Sequence, residues 1–483
     1  MAAVELADVD RLVSMHDRAL AQLREALSAA GLDARFLARL ARVGERLDDP
    51  MRAPMRAWNA RRMPEAAAVL ARILVLHDPV TPAEAARALG PYEALVDAGL
   101  LDATGSGVTS RAHLAFAGDL VVLGDRTAAG DGIPPLNGVT PVLARAAFPR
   151  DPIDAALDLG CGAGALALAF STVARRVVAT DVNPRALSWT RLNARLNGID
   201  RIEVRLGDRY EPVRGERFAR IVSQPPFLAR RPGGAASSFA HGGERGDELS
   251  LGVVAGAAAH LAAGGRALVL ADWPLFHHDA IEVRVRAVIG DTGGAVVLAS
   301  PPKNLDEYCA ALAAAEHPTL DDAFAQAACA QRDHFERLGL RGVAQALVVV
   351  EAAIGRPAAL LGVRHTQDAP IAATDVDRIV AAQALATSSD RAALLAARLR
   401  LPRGTRLVEQ PAAHGAPAAV IVHFPPTRPE WPVVVTPATA AILRAIDQSP
   451  SVQEAARALQ GVSLDDIVHA TRDALTRGIL DRD

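Results

Sequence analysis

Through the middle of the chain, short runs of consecutive apolar residues alternate with stretches whose apolar positions recur every three or four residues. The runs AALDLG, RVVAT, RIEVRL, ARIVSQ, RALVLAD, AVVLAS and AQALVVVE lie between residues 155 and 351. Apolar runs of this length, rich in β-branched residues, predict strands, and the intervening periodicity predicts helices. Such alternation predicts an α/β fold on a mostly parallel sheet.

The flanks read differently. From Asp8 to Leu76 the spacing is helical, as in DRLVSMHDRALAQLREAL. Two short helices, a turn and an alternating stretch broken at Gly118 follow, and predict a winged-helix-like unit ending near Asp125. The segment TAAGDGIPPLNG, Thr127 to Gly138, reads as a Gly- and Pro-rich linker. Beyond Gly355 the chain is rich in Ala and Arg, carries the Pro-rich HFPPTRPEWPVVVTP, and ends in short helices closing on GIL. The words AARAL (Ala85 and Ala455 onward) and GLLD or GILD (Gly99 and Gly478 onward) occur in both flanks at different spacing. Two winged-helix-like modules account for them, and so does the common composition of Ala-rich helices. The expected division is 1–130, helical and winged-helix-like; 131–354, the α/β domain; and 355–483, a C-terminal α/β domain with a winged-helix-like end.

Length supports this division, since 483 residues exceed what one core usually holds. A formal net charge of -3 argues against a surface built throughout for nucleic acid. Three scattered cysteines, Cys161, Cys309 and Cys329, fit a reducing compartment. The first residues lack a basic-then-apolar leader and no run is long enough to cross a bilayer, so a cytoplasmic protein without membrane contact is expected.

Chemistry concentrates at the expected carboxyl ends of four consecutive strands, where open α/β sheets bind ligands. LDLGCGAGALALAF joins a strand ending at Asp158 to a helix through Gly160, Gly162 and Gly164, residues that let backbone turn sharply and approach a ligand. VVATDVNP ends a second strand on Asp181, at about the 20-residue spacing of an acidic ribose ligand. LGD places Asp208 after a third strand, where it could hold an adenine amino group or form a turn, and SQPPF follows the fourth. Asp158 either orients the loop or touches the ligand; Asn183-Pro184 lines the site or simply starts a helix. Cys161 is read as packing.

In this order, DxGxGxG, acidic strand end, GD and an (N/D/S)PP(F/Y)-like tetrapeptide, here QPPF (Gln224 to Phe227), the sequence resembles the class I S-adenosylmethionine-dependent methyltransferases of the small-domain type. These include N-methyltransferases of nucleobases and of protein glutamine side chains. A further likeness, to methyltransferase-like proteins with a helical N-terminal domain, covers roughly Pro79 to Glu351. The resemblance implies a Rossmann-like core, S-adenosyl-L-methionine as cofactor and S-adenosyl-L-homocysteine as product. It implies cofactor contacts from Asp158, Gly160, Gly162, Gly164, Asp181, Asn183 and Asp208. It assigns acceptor binding to Gln224 and the Pro225 carbonyl, with Phe227 stacking on a planar group. Gln224 departs from the family's usual Asn, Asp or Ser, and its amide stands about 1.5 Å farther from the backbone. Its other reading is a loop residue, with Phe227 packed inside.

The long segment after the tetrapeptide, LARRPGGAASSFAHGGERGDELS, reads as a lid or a mobile loop over the acceptor, with His241 and Glu244 as candidate substrate contacts. Asp247 is expected to cap the next helix. Arg230 and Arg231 either steer an acidic substrate or form a solvated pair. Trp273 and Tyr308 are further candidates for the pocket, whereas His277, His278 and Asp279 have no metal-ligand spacing, and no metal is expected. The expected reaction is N-methylation of a peptide or protein side chain, a small molecule or a nucleobase. Small-molecule O-methylation and non-catalytic cofactor or peptide binding are the alternatives. A small-molecule or peptide substrate is preferred over nucleic acid, because the terminal helices are acidic or mixed in charge.

Overall fold

The computed structural model describes residues 6–42, 49–127, 131–229, 231, 241–291, 293–317, 319, 321–352, 358–362, 371–412 and 418–482. The chain forms two compact units. The first takes Met1–Ala144, Asp151–Ser223 and Ala236–Phe239, and the second takes Arg145–Arg150, Gln224–Ala235 and Ala240–Asp483.

In the first unit, helices including Asp17–Ala30, Pro82–Leu89 and Glu93–Asp97 precede two antiparallel hairpins. These are β1 (Leu101–Thr104) with β2 (Gly107–Ser110), and β3 (Ala112–Ala117) with β4 (Leu120–Asp125). Four parallel strands follow, β5 (Ile153–Leu159), β6 (Ala174–Asp181), β7 (Ile202–Leu206) and β8 (Phe218–Ser223), ordered β8-β5-β6-β7. Ala156 to Leu159 are all buried, as a strand covered on both faces requires. Helix α1 (Ala165–Phe170) follows β5, and α2 (Pro184–Leu196) follows β6. Asn183 is the N-cap of α2, accepting the Arg185 N–H at 2.9 Å, and Pro184 takes the first helical position, where its missing N–H costs nothing.

The expected linker is no linker over its described residues. Asp125 donates its N–H to the Ile133 carbonyl at 2.6 Å and accepts the Ile133 N–H at 2.7 Å. The next turn lies so close that a Cβ on Gly124 would stand 2.4 Å from the Pro135 nitrogen. Pro and Gly here build a tight return rather than a free segment. Asp125 is itself buried, ion-paired with Arg185 and hydrogen-bonded to the Trp189 indole N–H at 3.1 Å.

Helix α2 fastens the hairpin. The Asn193 carboxamide accepts the Leu123 N–H and donates to the Leu123 carbonyl, both at 2.8 Å. One turn on, Asn197 does the same for Val121, at 2.9 and 2.7 Å. Four helical residues rise about 6 Å and two strand residues about 6.6 Å, so a helix lying along a strand can pair its backbone in this register. Two side chains thus continue the β4 ladder and close its edge.

In the second unit β9 (Leu228–Ala229) and β10 (His241–Gly243) pair in parallel. The longer strands are β11 (Leu261–Phe276), β12 (Gly294–Ala299), β13 (Leu340–Glu351) and β14 (Ala358–Gly362). Strand β13 is antiparallel to both β11 and β12, while β12 and β14 are parallel. The expected mostly parallel pairing holds, with β13 as the reversed strand among the described pairings. The connection from β12 to β13 contains two packed helices, α3 (Leu305–Glu316) and Asp322–Arg337. A helical pair returns the chain to the end it left, so the next strand runs backwards, whereas a single crossover helix would have kept it parallel.

Toward the C-terminus a three-stranded sheet, Arg406–Gln410, Ala419–His423 and Val433–Val435, shares a core with helices Pro437–Gln448 and Leu464–Thr476. Glu430 has no exposed surface and is ion-paired with Arg378 and Arg428. Gly478, at φ 67°, is where that carboxylate side chain passes, since a Cβ there would meet its Cγ at 2.9 Å. Among the described residues, no helix is long and apolar enough to cross a membrane, and no His, Cys, Asp and Glu cluster could hold a metal.

Asn193→Ala is expected to strand the Leu123 N–H and carbonyl in the core and to lower stability by about 2–4 kcal/mol in urea unfolding. Asn197→Ala, at the half-buried end, should cost less. Equal losses for the two would contradict the pairing of Asn193 with the buried part of β4 and Asn197 with its half-buried end.

Candidate active site

The glycine loop is shaped by its own backbone. The N–H groups of Gly160 and Cys161 both donate to the Thr180 carbonyl, at 2.8 and 2.9 Å, which ties the end of β5 to the end of β6. Gly160, Gly162 and Gly164 have φ of 77, 55 and 83°, the left-handed region that glycine enters without steric cost. Gly164 is also pinned by space, since a Cβ would lie 2.8 Å from Thr190 Cγ2 and Oγ1. The Thr190 hydroxyl donates to the Gly162 carbonyl at 3.0 Å, and Asn193 donates to the Ala163 carbonyl at 2.9 Å. Gly160 is exposed and nothing stands within 4 Å of where its Cβ would be, leaving an open stretch of backbone for a ligand.

Each acidic residue has a distinct place. Asp158 is buried and accepts the Ala167 N–H at 2.8 Å, holding the first turn of α1 and facing no solvent. Asp181 accepts from Gly162 N–H at 3.0 Å and Asn183 N–H at 2.9 Å, one on each carboxylate oxygen, which leaves further lone pairs on a partly exposed group. Burial raises its pKa, and the backbone donors oppose that. Asp208 is exposed and held by Arg209 at 2.9 Å. Cys161 is buried, its thiol 3.4 Å from the Thr190 hydroxyl, and burial pushes it well above its ordinary pKa, so it packs.

Sequence reasoning missed two apolar faces. Val182 and Leu206 are 68% and 60% exposed, and Leu206 pairs with Asp181 in the β6–β7 register. Both are large aliphatic side chains left in water next to Asp181, Val182 in sequence and Leu206 in register. The available signal was an apolar residue at the last position of β7, where the chain leaves the core.

In the second unit the tetrapeptide lies against a glycine turn. A Cβ on Gly242 would stand 2.7 Å from the Pro226 carbonyl oxygen and 2.8 Å from Phe227 Cα, and one on Gly246 2.9 Å from the Phe227 carbonyl oxygen. HGGERG therefore supplies a backbone surface that seats Pro226 and Phe227, and any side chain at these two glycines would lift them. Glu244, at the turn's tip, is exposed, and His241 is half-buried in β10. Gln224 and Phe227 are partly exposed and Pro225 is buried. Arg245 lies over the Phe276 ring at 4.2 Å and pairs with Asp279 at 2.7 Å.

Other candidates are placed differently from expectation. Trp273 has no exposed surface and spends its indole N–H on the Ala346 carbonyl at 3.2 Å, so here it offers no face to a ligand. Asp247 occupies the N-cap position but makes no capping bond, because its carboxylate pairs with the buried Arg284 at 2.7 Å. Arg231 is paired with Glu316 at 3.1 Å, and Arg230 lies outside the described residues, as do 232–240 of the expected lid. Tyr308 is partly buried on α3, stacked on Phe335 with ring centroids 6.2 Å apart.

Residues 140–292 match the family model of the methyltransferase small domain. The release factor glutamine methyltransferase of Xylella fastidiosa (strain Temecula1) is 36% identical over 127 residues, 24% of this chain and 46% of that protein. That of Aquifex aeolicus is 40% identical over 84 residues, 17% of this chain and 30% of the relative. The chain spans about half the length, or less, of these curated relatives. Among solved structures, the T. thermophilus 16S rRNA N2 G1207 methyltransferase is 21% identical over 37% of this chain and 45% of that one, with a TM-score of 0.28.

Burial pushes Asp158 up to about 7; the Ala167 N–H opposes this, and Asp181 adds to it. A carboxyl that holds its proton more tightly in the folded chain adds stability at pH below about 4, its unfolded value, and loses that contribution as pH rises through about 7. Asp158→Asn keeps an oxygen for Ala167 but has no proton to lose. The stability difference between wild type and variant, measured in urea at pH 4 to 8, should shift against the wild type as pH rises. Parallel curves would contradict the assignment.

Proposed function

We propose that this chain, in which residues 140–292 match the methyltransferase small-domain model, moves a methyl group from S-adenosyl-L-methionine to a nitrogen, the favoured acceptor being the side-chain amide of a protein or peptide glutamine. The observation that carries this reading is the order of features along the chain: the open glycine loop, Asp181 beside it, and SQPPF following β8. The glutamine-methylating relatives support the choice of acceptor.

The residues present fit the cofactor. Gly160 leaves backbone open, Asp181 retains lone pairs for ribose hydroxyls, and Val182 and Leu206 present apolar faces suited to adenine. Asp158 keeps the loop in shape, Asn183 starts α2, and Asp208 stands at the rim as a further acceptor. When bound, the cofactor supplies an electrophilic methyl carbon on a sulfonium. The chain's task is then to aim a nitrogen lone pair along the line of displacement, where good placement is worth several orders of magnitude in rate.

An amide nitrogen has a delocalised lone pair and two hydrogens. The Gln224 carboxamide oxygen and the Pro225 carbonyl accept those hydrogens, and Phe227 lies against the planar group. The two prolines fix φ, and the glycine turn seats their backbone. The longer reach of Gln224 sets the acceptor farther from the strand end than Asn would. As the N–C bond forms and the S–C bond breaks, the nitrogen sheds one proton, and His241 and Glu244 are this proposal's candidates to contact the acceptor or take that proton. The segments 1–130 and 355–483 present the substrate, and a peptide suits their mixed charge better than nucleic acid.

Asp181→Ala should abolish cofactor binding in calorimetry, and unchanged affinity would remove Asp181 from the site. Gln224→Ala should keep cofactor affinity and lose turnover by at least a hundredfold; full activity would take the tetrapeptide out of the mechanism. Labelled methyl transferred into fractionated host lysate should appear in protein and not in Asp181→Ala controls. Label confined to RNA or small molecules would overturn the amide acceptor.

A further inference from the structure

Lys303 is the only lysine in 483 residues; the other 51 of the 52 Lys plus Arg are arginine. Guanidinium is thus this chain's ordinary cation, even in buried pairs such as Arg284 with Asp247. At position 303 an ammonium stands in its place. It lies 2.6 Å from Asp272 Oδ2, with the Asp272 side chain only 7% exposed and that of Lys303 41% exposed. It also sits 5.3 Å over the Tyr308 ring. Burial first, then the Asp272 carboxylate, pushes the pKa of the Tyr308 phenol well above its ordinary value, so it keeps its proton.

The lysine's backbone is fixed too. Its N–H donates to the Val343 carbonyl at 2.7 Å, and the next residue, Asn304, caps α3. An ammonium carries three donors. One goes to Asp272, and the other two have no protein partner among the described residues. A guanidinium is a rigid planar fork that tends to engage a carboxylate through two nitrogens, whereas an ammonium is compact and can point its donors elsewhere. Tyr308 packs on the apolar cluster that holds Ala229, Phe276 and Leu305, and Ala229 follows SQPPFL directly.

We propose that Lys303 is a specificity-determining residue of the methyl acceptor, its two spare N–H donors binding an oxygen of the acceptor while Asp272 and Tyr308 hold the ammonium in place. The proposal rests on the methyl-transfer reading above. Because Asp272 cancels the charge, the site favours a neutral carbonyl over an anion, and an amide over an alkyl amine. No bond is made or broken by Lys303.

A single lysine permits a direct test. Full-length protein labelled with 13C,15N-lysine gives one side-chain Cε–Nζ signal, which is followed while N-acetyl-glutamine methylamide, the glutamate analogue or the norleucine analogue is added at millimolar concentration with cofactor present. A saturating shift with glutamine, a smaller one with glutamate and none with norleucine is expected. No shift with any probe, or an equal shift with norleucine, would overturn the proposal. In methyl transfer to lysate protein, Lys303→Arg and Lys303→Met should each lose at least tenfold at low lysate, with the loss shrinking as lysate is raised and cofactor affinity unchanged. Wild-type behaviour of Lys303→Arg would show that charge alone suffices and would overturn it. If the wild type neither binds cofactor nor transfers label, the methyl-transfer reading fails, while the spectroscopic arm still decides whether Lys303 binds an amide oxygen.

Discussion

A loop built from glycines has few side chains of its own to hold it, so its shape must be imposed by what surrounds it. Here one carbonyl, that of Thr180, takes the N–H groups of both Gly160 and Cys161. Asp181 then takes the N–H of Gly162, while Thr190 and Asn193 take the carbonyls of Gly162 and Ala163. The partners come from the end of β6 and from α2. The first unit depends on this arrangement, because β5, β6 and α2 meet in it.

Much of this was legible before any coordinates. Strands announce themselves by local runs, and a glycine loop or an Asn-Pro helix start is spelled within a few residues, so those readings needed no tertiary information. What escaped were partners distant in sequence. Asn193 and Asn197 look like ordinary polar positions on a helix, yet they bond residues 70 and 76 positions away. Asp125 looked like the end of a module but meets an arginine 60 residues on. The reversal of β13 was hidden because periodicity shows that two helices separate β12 from β13 but not where the chain emerges. Trp273 sits beside an acidic residue at a strand end in sequence, but the space behind β11 is filled and the indole completes a buried hydrogen bond there.

The two flanks share one local device whatever their history. In each, a helix stops at a left-handed glycine, Gly99 or Gly478, followed by two buried aliphatic residues. The glycine ends the helix by turning the chain, and the aliphatic pair drives the turn into the core. Only Gly478 is also crowded, by buried Glu430, whereas nothing lies within 4 Å of the Cβ position at Gly99. The resemblance in sequence therefore reflects helix termination in both places and close packing in one.

The Asn193 Nδ2 group donates both to the Leu123 carbonyl of the hairpin and to the Ala163 carbonyl of the glycine loop, while its Oδ1 accepts the Leu123 N–H. A ligand that tightens the loop through Asn193 would tighten the β3–β4 hairpin as well, and by reciprocity whatever clamps the hairpin through that side chain would raise the loop's affinity by the same factor. The N-terminal region is thereby a contributor to affinity for whatever the loop holds, without touching it. A shortened chain beginning at the first parallel strand would keep every loop glycine and still bind more weakly.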